Sequence, residues 1–321
     1  MKEFTLTKNE ADLRLDKYIH KVLKNAGTGF IYKMLRKKNI TLNGKKADGT
    51  EKTKEGDVVR FFFSDETFGK MSGAENVLSE YDRLMGLSFE KKIHVLFEDD
   101  DVCFLDKASG ELSQTDDSGK DSLNEYFLSY LINTGKLSRE EFKTFKPSVS
   151  NRLDRNTSGI LICGKTLKGL QENAAMLRDR NCEKHYRALV VGDVDEKKKV
   201  SAYLLKNESD NKATVFSEYH EGASLIETEY SPVERFGEYT LLDVHLITGK
   251  THQIRAHLSS LKHPVVGDPK YGDKKVNTFF EKEAKVKYQL LHSYEFISEN
   301  YHVLAPLPAY FERALLLCGK E

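Results

Sequence analysis

The sequence predicts an α+β protein whose sheet is largely antiparallel, and two observations support that fold class. Residues 184–192 and 239–247 each predict a strand, whose successive side chains point to opposite faces; in the second, Asp243 and His245 alternate with Val244 and Leu246. Strands and helices also lack the regular alternation that builds a doubly wound parallel sheet. At 321 residues, the chain suits one large domain with a small one, or two medium domains.

The first 60 residues predict a small basic module. They contain 15 Lys and Arg against 8 Asp and Glu, a net charge of +7 that leaves −7 for the rest of a chain with no net charge. Two short helices, over 13–24 and from residue 28, precede strands at 40–42 and 58–63. This charge distribution indicates an arm that grips RNA or DNA, although a basic face that is merely solvated also explains it.

The segment that follows predicts a linker, and the remainder predicts one larger domain. Residues 64–92 mix small, charged and isolated apolar residues without a period, so we expect a linker with a short helix before a domain over 93–321. The four cysteines have no C-x-x-C spacing, which argues against a zinc knuckle or a disulfide framework. The sequence shows no apolar signal segment and no stretch of transmembrane length, so a cytoplasmic protein is expected.

The strongest chemical signal is a polar turn at 151–159 that leads into the apolar run Ile160–Ile162. Asp154 lies in this turn between Arg152 and Arg155, and nearby positive charge keeps a carboxylate ionised. An ionised, oriented carboxylate can act as a nucleophile or a general base. Taken alone, the same pattern also fits a structural ion pair that supports a turn.

Two later segments place polar side chains beside predicted strands. The strand over 184–192 puts Tyr186 on the face opposite His185. After the strand at 239–247, Thr251 is predicted to cap a helix that carries Arg255. Three histidines, at 252, 257 and 263, lie in or near this helix, but their spacing does not match a zinc-binding helix, and we expect the chain to bind no metal.

Residues 151–159 closely resemble the signature of the RluA/RluC/RluD family of RNA pseudouridine synthases, with Asn151 and Asn156 where histidine and aspartate are common. Segments 107–110, 184–192 and 248–272 resemble further family motifs. The resemblance implies the pseudouridine synthase fold, a mixed and largely antiparallel sheet with flanking helices and a central cleft. It also implies roles for five residues, namely Asp154 as nucleophile, Tyr186 holding the base, Arg255 pairing with Asp154, Arg152 filling the space of a flipped base, and Leu291 lining the uracil pocket.

The basic module, residues 1–63, resembles the αL RNA-binding domain that precedes many pseudouridine synthases. The resemblance makes five residues candidate phosphate contacts: Lys33, Arg36, Lys37, Lys38 and Lys45. The same architecture occurs in the RluC/RluD group, so large-subunit ribosomal RNA is the preferred substrate and transfer RNA remains open. A monomer is the default expectation.

The implied reaction needs no cofactor, since it moves no hydride and consumes no energy source. The sequence accordingly shows no dinucleotide-binding or P-loop motif. Two other functions are alternatives. A glycoside hydrolase needs two carboxylates around the bond, whereas the turn offers one. A catalytically silent RNA-binding or ribosome-assembly factor is the second alternative, and the presence of Asp154, Tyr186 and Arg255 together argues against it.

Overall fold

The computed structural model describes residues 1–72, 74–116, 119–207 and 212–319, with the backbone alone for residues 74–78. The helices in this part of the chain are α1 Leu15–Val22, α2 Thr28–Arg36, α3 Asp65–Ser72, α4 Ala74–Met85, α5 Leu123–Asn133, α6 Arg139–Thr144, α7 Leu167–Asp179, α8 Gln253–Ser260, α9 Lys274–Ala284 and α10 Ala309–Cys318. The strands are β1 Lys2–Thr5, β2 Ile40–Leu42, β3 Lys45–Lys46, β4 Val58–Phe61, β5 Val95–Glu98, β6 Val102–Lys107, β7 Ser148–Val149, β8 Ser158–Gly164, β9 Cys182–Val191, β10 Lys198–Asn207, β11 Lys212–Phe216, β12 Ser224–Arg235, β13 Tyr239–Leu246, β14 Leu291–Ser298 and β15 His302–Leu304.

The chain forms two compact units, the first of which comprises residues 1–91, 124–148 and 164–170. Its sheet has the strand order β1-β4-β2-β3, and every pairing in it is antiparallel. The helices α1 and α2 each bury one apolar face in the core of this unit, as their helical spacing predicts. The turn at Asn43 and Gly44 joins β2 to β3, and both residues have positive φ.

The second unit comprises residues 92–123, 149–163 and 171–321, within which residues 117–118, 208–211 and 320–321 are not described. Its sheet runs in the order β11-β10-β12-β13-β9-β14-β8-β6-β5, with β15 paired to β14 and β7 to β8. The pairing of β14 with β8 is parallel, whereas β9 pairs antiparallel with both β13 and β14. The predicted fold class, a mixed and largely antiparallel sheet with helices, is therefore confirmed.

The predicted domain limits at 63 and 92 stay a prediction, because the compact units do not follow them segment by segment. The limit of the first unit at residue 91 lies beside the predicted start of the large domain at 93. Residues 124–148 and 164–170 nevertheless belong to the first unit. The predicted linker contains α3 and α4. Among the described helices, none is both long and apolar enough to cross a membrane.

Candidate active site

The turn before β8 presents Asp154, and buried hydrogen bonds fix its backbone. The Ser113 hydroxyl donates to the Leu153 carbonyl at 3.0 Å and accepts from the Leu153 N–H at 3.1 Å. The Thr157 N–H donates to the Asp154 carbonyl at 3.0 Å, which closes the turn. The Asn151 side chain accepts the Ile162 N–H at 2.7 Å, so this departure from the family signature supports the strand that follows.

Lys107 lies under the same turn with 0% of its surface exposed. Its ammonium donates to three carbonyl oxygens, those of Thr157 at 2.7 Å, Arg155 at 2.9 Å and Ala108 at 3.1 Å. Burial lowers the pKa of Lys107 to about 8, although the negative charges of Glu111 and other acids act to raise it. The sequence motif at 107–110 singled out this lysine, but its three carbonyl partners could not be read from the chain.

Gly159 allows β8 to pair with β14 next to the turn. Its φ is +106°, and a Cβ built there would lie 2.1 Å from the Ser293 carbonyl oxygen. In the parallel register, Gly159 faces Ser293 and Ser158 faces His292. Only glycine combines this conformation with so close an approach, so the residue that ends the signature also fixes the strand pairing beside Asp154.

Arg255 joins Asp154 to a second, fully buried carboxylate. Its Nη1 donates to Asp154 Oδ2 at 2.8 Å, while its Nε and Nη2 donate to the two oxygens of Asp268 at 2.7 and 2.8 Å. Arg255 is 4% exposed and Asp268 is 0% exposed. Burial alone would lower the pKa of Arg255, but the hydrogen bonds and charges of Asp268 and Asp154 raise it above its usual value.

Asp268 was not predicted as a site residue, although it lies within the segment 248–272 that resembles a family motif. Besides Arg255, its Oδ1 accepts the backbone N–H groups of Lys270 at 2.8 Å and Tyr271 at 3.1 Å. These bonds fix the carboxylate, and the carboxylate fixes the orientation of the guanidinium. Asp268 lies 13 residues from Arg255 and 114 from Asp154, so nothing local in the sequence marked it.

The start of α8 differs from the prediction that Thr251 caps it. His252 occupies the cap position in the left-handed conformation, with φ 58° and no side-chain capping bond. Gln253 organises the turn instead, because its Oε1 accepts the Lys250 N–H at 3.1 Å and the Thr248 hydroxyl at 2.9 Å. The prediction was therefore wrong, since a buried glutamine side chain replaces the expected threonine cap.

The unusual backbone of His252 brings its ring close to Asp154. Its Nε2 lies 4.0 Å from Asp154 Oδ2, and its Nδ1 lies 3.0 Å from the Tyr271 hydroxyl. Burial lowers the pKa of His252, while the charge of Asp154 opposes that change. The Tyr271 hydroxyl in turn accepts the Ala213 N–H at 2.7 Å.

Tyr186 and Leu291 form the apolar side of the same site. They are 6% and 3% exposed, and they lie on the adjacent strands β9 and β14. Burial raises the pKa of Tyr186 to about 12, so its phenol stays protonated at neutral pH. Both residues line one cavity with Arg152, Asp154 and Arg255.

This cavity has a volume of about 1310 Å³ and a strongly basic lining. Among the described residues, nine basic ones line it against two acidic ones, Asp116 and Asp154, although the whole chain is neutral. The basic residues are Arg152, Arg155, Arg178, Arg180, Lys184, Lys206, Lys250, Arg255 and Lys270. Such a lining concentrates positive potential, which favours a polyanionic ligand.

The five candidate phosphate contacts belong to the first compact unit. Lys33 and Arg36 lie on α2, Lys37 and Lys38 follow it directly, and Lys45 lies on β3. All five side chains are exposed. The structure thus places the predicted catalytic and pocket residues in one cavity, and the predicted phosphate contacts on the surface of the other unit.

Comparisons with known proteins agree on one family. The model for RNA pseudouridylate synthases matches residues 101–260. The chain is 31% identical over 322 residues to ribosomal large subunit pseudouridine synthase C of Buchnera aphidicola subsp. Baizongia pistaciae, covering 97% of this chain and 95% of the relative. It is 29% identical over 317 residues to the protein of the same name from Vibrio cholerae serotype O1, covering 95% and 93%.

A solved structure supports the fold independently. The human RNA Pseudouridylate Synthase Domain Containing 4 superposes with a TM-score of 0.59, covering 76% of this chain and 97% of that chain. Its sequence identity is 19%, so this likeness concerns the fold.

Proposed function

We propose that this chain, which belongs to the family of RNA pseudouridine synthases, isomerises specific uridines of large-subunit ribosomal RNA with Asp154 as its nucleophile. The family membership makes the chain an RNA pseudouridine synthase and RNA its substrate. The finer choice of RNA rests on the names of the Buchnera and Vibrio relatives, both of which are large-subunit enzymes.

One observation carries the assignment of Asp154. It is one of two acidic residues that the described part of the chain places in the lining of a basic cavity, and its Oδ2 accepts a hydrogen bond from Arg255 at 2.8 Å. Asp268 binds the other edge of that guanidinium, so the arginine cannot turn away from Asp154 without losing two buried bonds. A carboxylate oriented in this way suits nucleophilic attack on a target that enters the cavity.

The other residues of the cavity suit the remaining steps. A paired base is out of reach, so the target uridine leaves its stack, and the exposed Arg152 fills the vacated space. Tyr186 and Leu291 supply an apolar surface for the uracil ring. Asp154 bonds to the substrate and the bond between N1 and C1′ breaks. The ring then rotates, C5 bonds to C1′, and the bond to Asp154 breaks, which restores the carboxylate. The proton that C5 loses is balanced by the one that N1 gains, so the product is an isomer of the substrate.

The proposal extends to the rest of the chain. Residues 1–63 act as the αL RNA-binding domain, with the exposed cations of α2, its end and β3 as phosphate contacts. The isomerisation changes no oxidation state and couples to no energy source, so the proposed reaction uses neither cofactor nor metal. We propose a monomer that acts in the cytoplasm, where ribosomal RNA is available.

Pseudouridine mapping in total RNA from a deletion strain tests the substrate. The expected result is the loss of one or more pseudouridines from large-subunit ribosomal RNA, and their return with the wild-type gene. Loss confined to transfer RNA would replace the proposed substrate and leave the enzyme class intact.

Asp154→Asn tests the nucleophile in the same strain and with purified protein. We expect no pseudouridine, an unchanged fold and nearly unchanged RNA affinity, because asparagine has the same shape but is a poor nucleophile. The matched control is Asp116→Asn, which removes another acidic charge of the cavity lining and should keep activity. Substantial pseudouridine formation by folded Asp154→Asn protein would rule out the assignment.

A further inference from the structure

The strand β9 presents a second polar cluster on the face opposite Tyr186. Side chains alternate along a strand, so His185 points away from the face that holds Tyr186. The antiparallel register with β13 pairs His185 directly with His245. Glu183 lies two residues before His185 on the same face, and one ligand atom from each of these three residues lies within 4.8 Å of the other two.

We propose that Glu183, His185 and His245 form a binding site for a divalent transition metal ion, with Zn²⁺ as the best match. Two imidazole nitrogens and one carboxylate oxygen are the donor types that zinc takes in proteins. Three protein ligands leave a fourth position for water, and the partial exposure of the cluster gives water access to it.

The hydrogen bonds of His185 select the nitrogen that would bind the ion. Its Nδ1 lies 2.9 Å from Asp243 Oδ1, while its Nε2 lies 3.3 Å from Glu183 Oε2. A carboxylate on one ring nitrogen is the arrangement that orients metal-binding histidines and increases their basicity. Arg187 at 3.2 Å and Tyr294 at 2.9 Å donate to the other oxygen of Asp243, so the carboxylate that orients His185 is itself fixed.

Binding requires a modest side-chain adjustment. The rings of His185 and His245 are stacked, with centroids 4.9 Å apart and an interplanar angle of 11°. Metal–ligand distances of about 2.0–2.2 Å place the ligand atoms of a tetrahedral site about 3.4 Å apart. One ring must therefore rotate toward the other, which the broad χ2 preference of histidine allows. Because Asp243 holds His185, His245 is the ring that turns.

This site differs from the expectation that the chain binds no metal. That expectation was argued from the cysteine spacing and from the histidines at 252, 257 and 263. The two histidines proposed as ligands are 60 residues apart and meet only through the pairing of β9 with β13. An ion there would link the two strands on the face opposite Tyr186. It would lie outside the cavity, so the isomerisation itself does not depend on it.

Calorimetric titration of the full-length protein with ZnCl₂ tests the proposal, and visible absorption with CoCl₂ reports the coordination. We expect one ion per chain, with affinity lowered at least about tenfold in Glu183→Gln and in His245→Gln. Two controls should bind as the wild type does: His220→Gln changes an exposed histidine elsewhere, and Cys182→Ser removes the thiol beside Glu183.

Glu183 is exposed, so Glu183→Gln keeps the test valid even if His245→Gln does not fold. An absence of zinc binding by the wild-type protein would overturn the proposal. Equal affinities of the wild type and Glu183→Gln would also overturn it, because the ion would then be bound elsewhere.

Discussion

The two basic regions of this chain concentrate positive charge in different ways. The region near α2 takes its cations from neighbouring positions between residues 33 and 45, and all five candidates are exposed. The cavity takes its cations from residues 152 to 270, which meet only after folding. One cation of the cavity, Arg255, is 4% exposed, and Lys107 beneath the turn is completely buried.

The difference separates binding charges from structural charges. An exposed lysine on α2 can be neutralised at little cost in folding free energy, because water already solvates it. Arg255 and Lys107 have exchanged water for protein acceptors, so removing either cation leaves buried acceptors without a donor. We therefore expect substitutions in the first region to change RNA affinity, and substitutions of buried cations to change stability as well.

The largest effect is expected for Arg255→Met compared with Arg152→Met. The first change leaves the buried carboxylate of Asp268 without its cation and should lower the free energy of unfolding by about 3–5 kcal/mol. The second removes an exposed cation of the same cavity and should change it by less than about 0.5 kcal/mol. Both should reduce pseudouridine formation. Denaturant unfolding and turnover assays measure the two effects.

Arg255→Lys separates the effect of charge from the effect of geometry in this comparison. Lysine keeps the positive charge but cannot bind Asp268 and Asp154 through separate edges. We expect its turnover to stay low although its stability recovers in part. Equal stability losses in Arg255→Met and Arg152→Met would break the distinction between the two kinds of charge.

A smaller effect, dependent on pH, is expected for Lys107. Burial lowers its folded-state pKa to about 8, below the unfolded value of 10.5. Between these values the unfolded state binds more protons, so the contribution of Lys107 to stability rises with pH from about 8 to 10.5, by at most about 3 kcal/mol. Unfolding of the wild type and Lys107→Met across that range measures it. Parallel pH profiles of the two proteins would contradict the burial argument.

The smallest effect is expected for exposed cations near α2. Lys33→Gln combined with Arg36→Gln should leave the melting temperature unchanged. The slope of the logarithm of the RNA-binding constant against the logarithm of salt concentration should become shallower by about 0.7–0.9 for each phosphate that is no longer neutralised. The control is Lys274→Gln on α9, which should change neither the melting temperature nor the salt dependence.

Point substitutions suit this test better than deletion of residues 1–63, because Glu10 accepts a hydrogen bond from Thr144 within the same unit and the deletion would remove that contact. An unchanged slope would remove this surface from RNA binding.

The sequence predicted the fold class because the alternation of side chains along strands is a local property. The strands at 160–162, 184–192 and 239–247 are present close to their predicted limits, as β8, β9 and β13. The predicted helix after the last of these exists as well. Its first residue was missed, because the positive φ of His252 depends on the buried bonds of Gln253.

The site itself was less accessible to sequence reasoning. The two arginines beside Asp154 in the sequence predicted an ionised carboxylate. The arginine that donates a hydrogen bond to Asp154 is nevertheless Arg255, 101 residues away. That pairing came only from the family resemblance. The contributions of Asp268 and Lys107 are contacts between distant segments, and no composition or periodicity encodes them. The basic cavity could not be predicted either, because its cations come from distant segments. The net charge of residues 61–321 is −7, which gives no indication of a basic surface.

The bidentate bond between Asp268 and Arg255 has a consequence for charge balance during turnover. In the resting site, one cation lies between two carboxylates, so the three groups sum to −1. If Asp154 attacks the substrate as we propose, the covalent bond removes its negative charge. Arg255 would then be a bare buried cation if Asp154 were its only partner, and such a cation costs several kcal/mol. Because Asp268 remains, the sum becomes zero, and the site stays electrically compensated through the covalent stage.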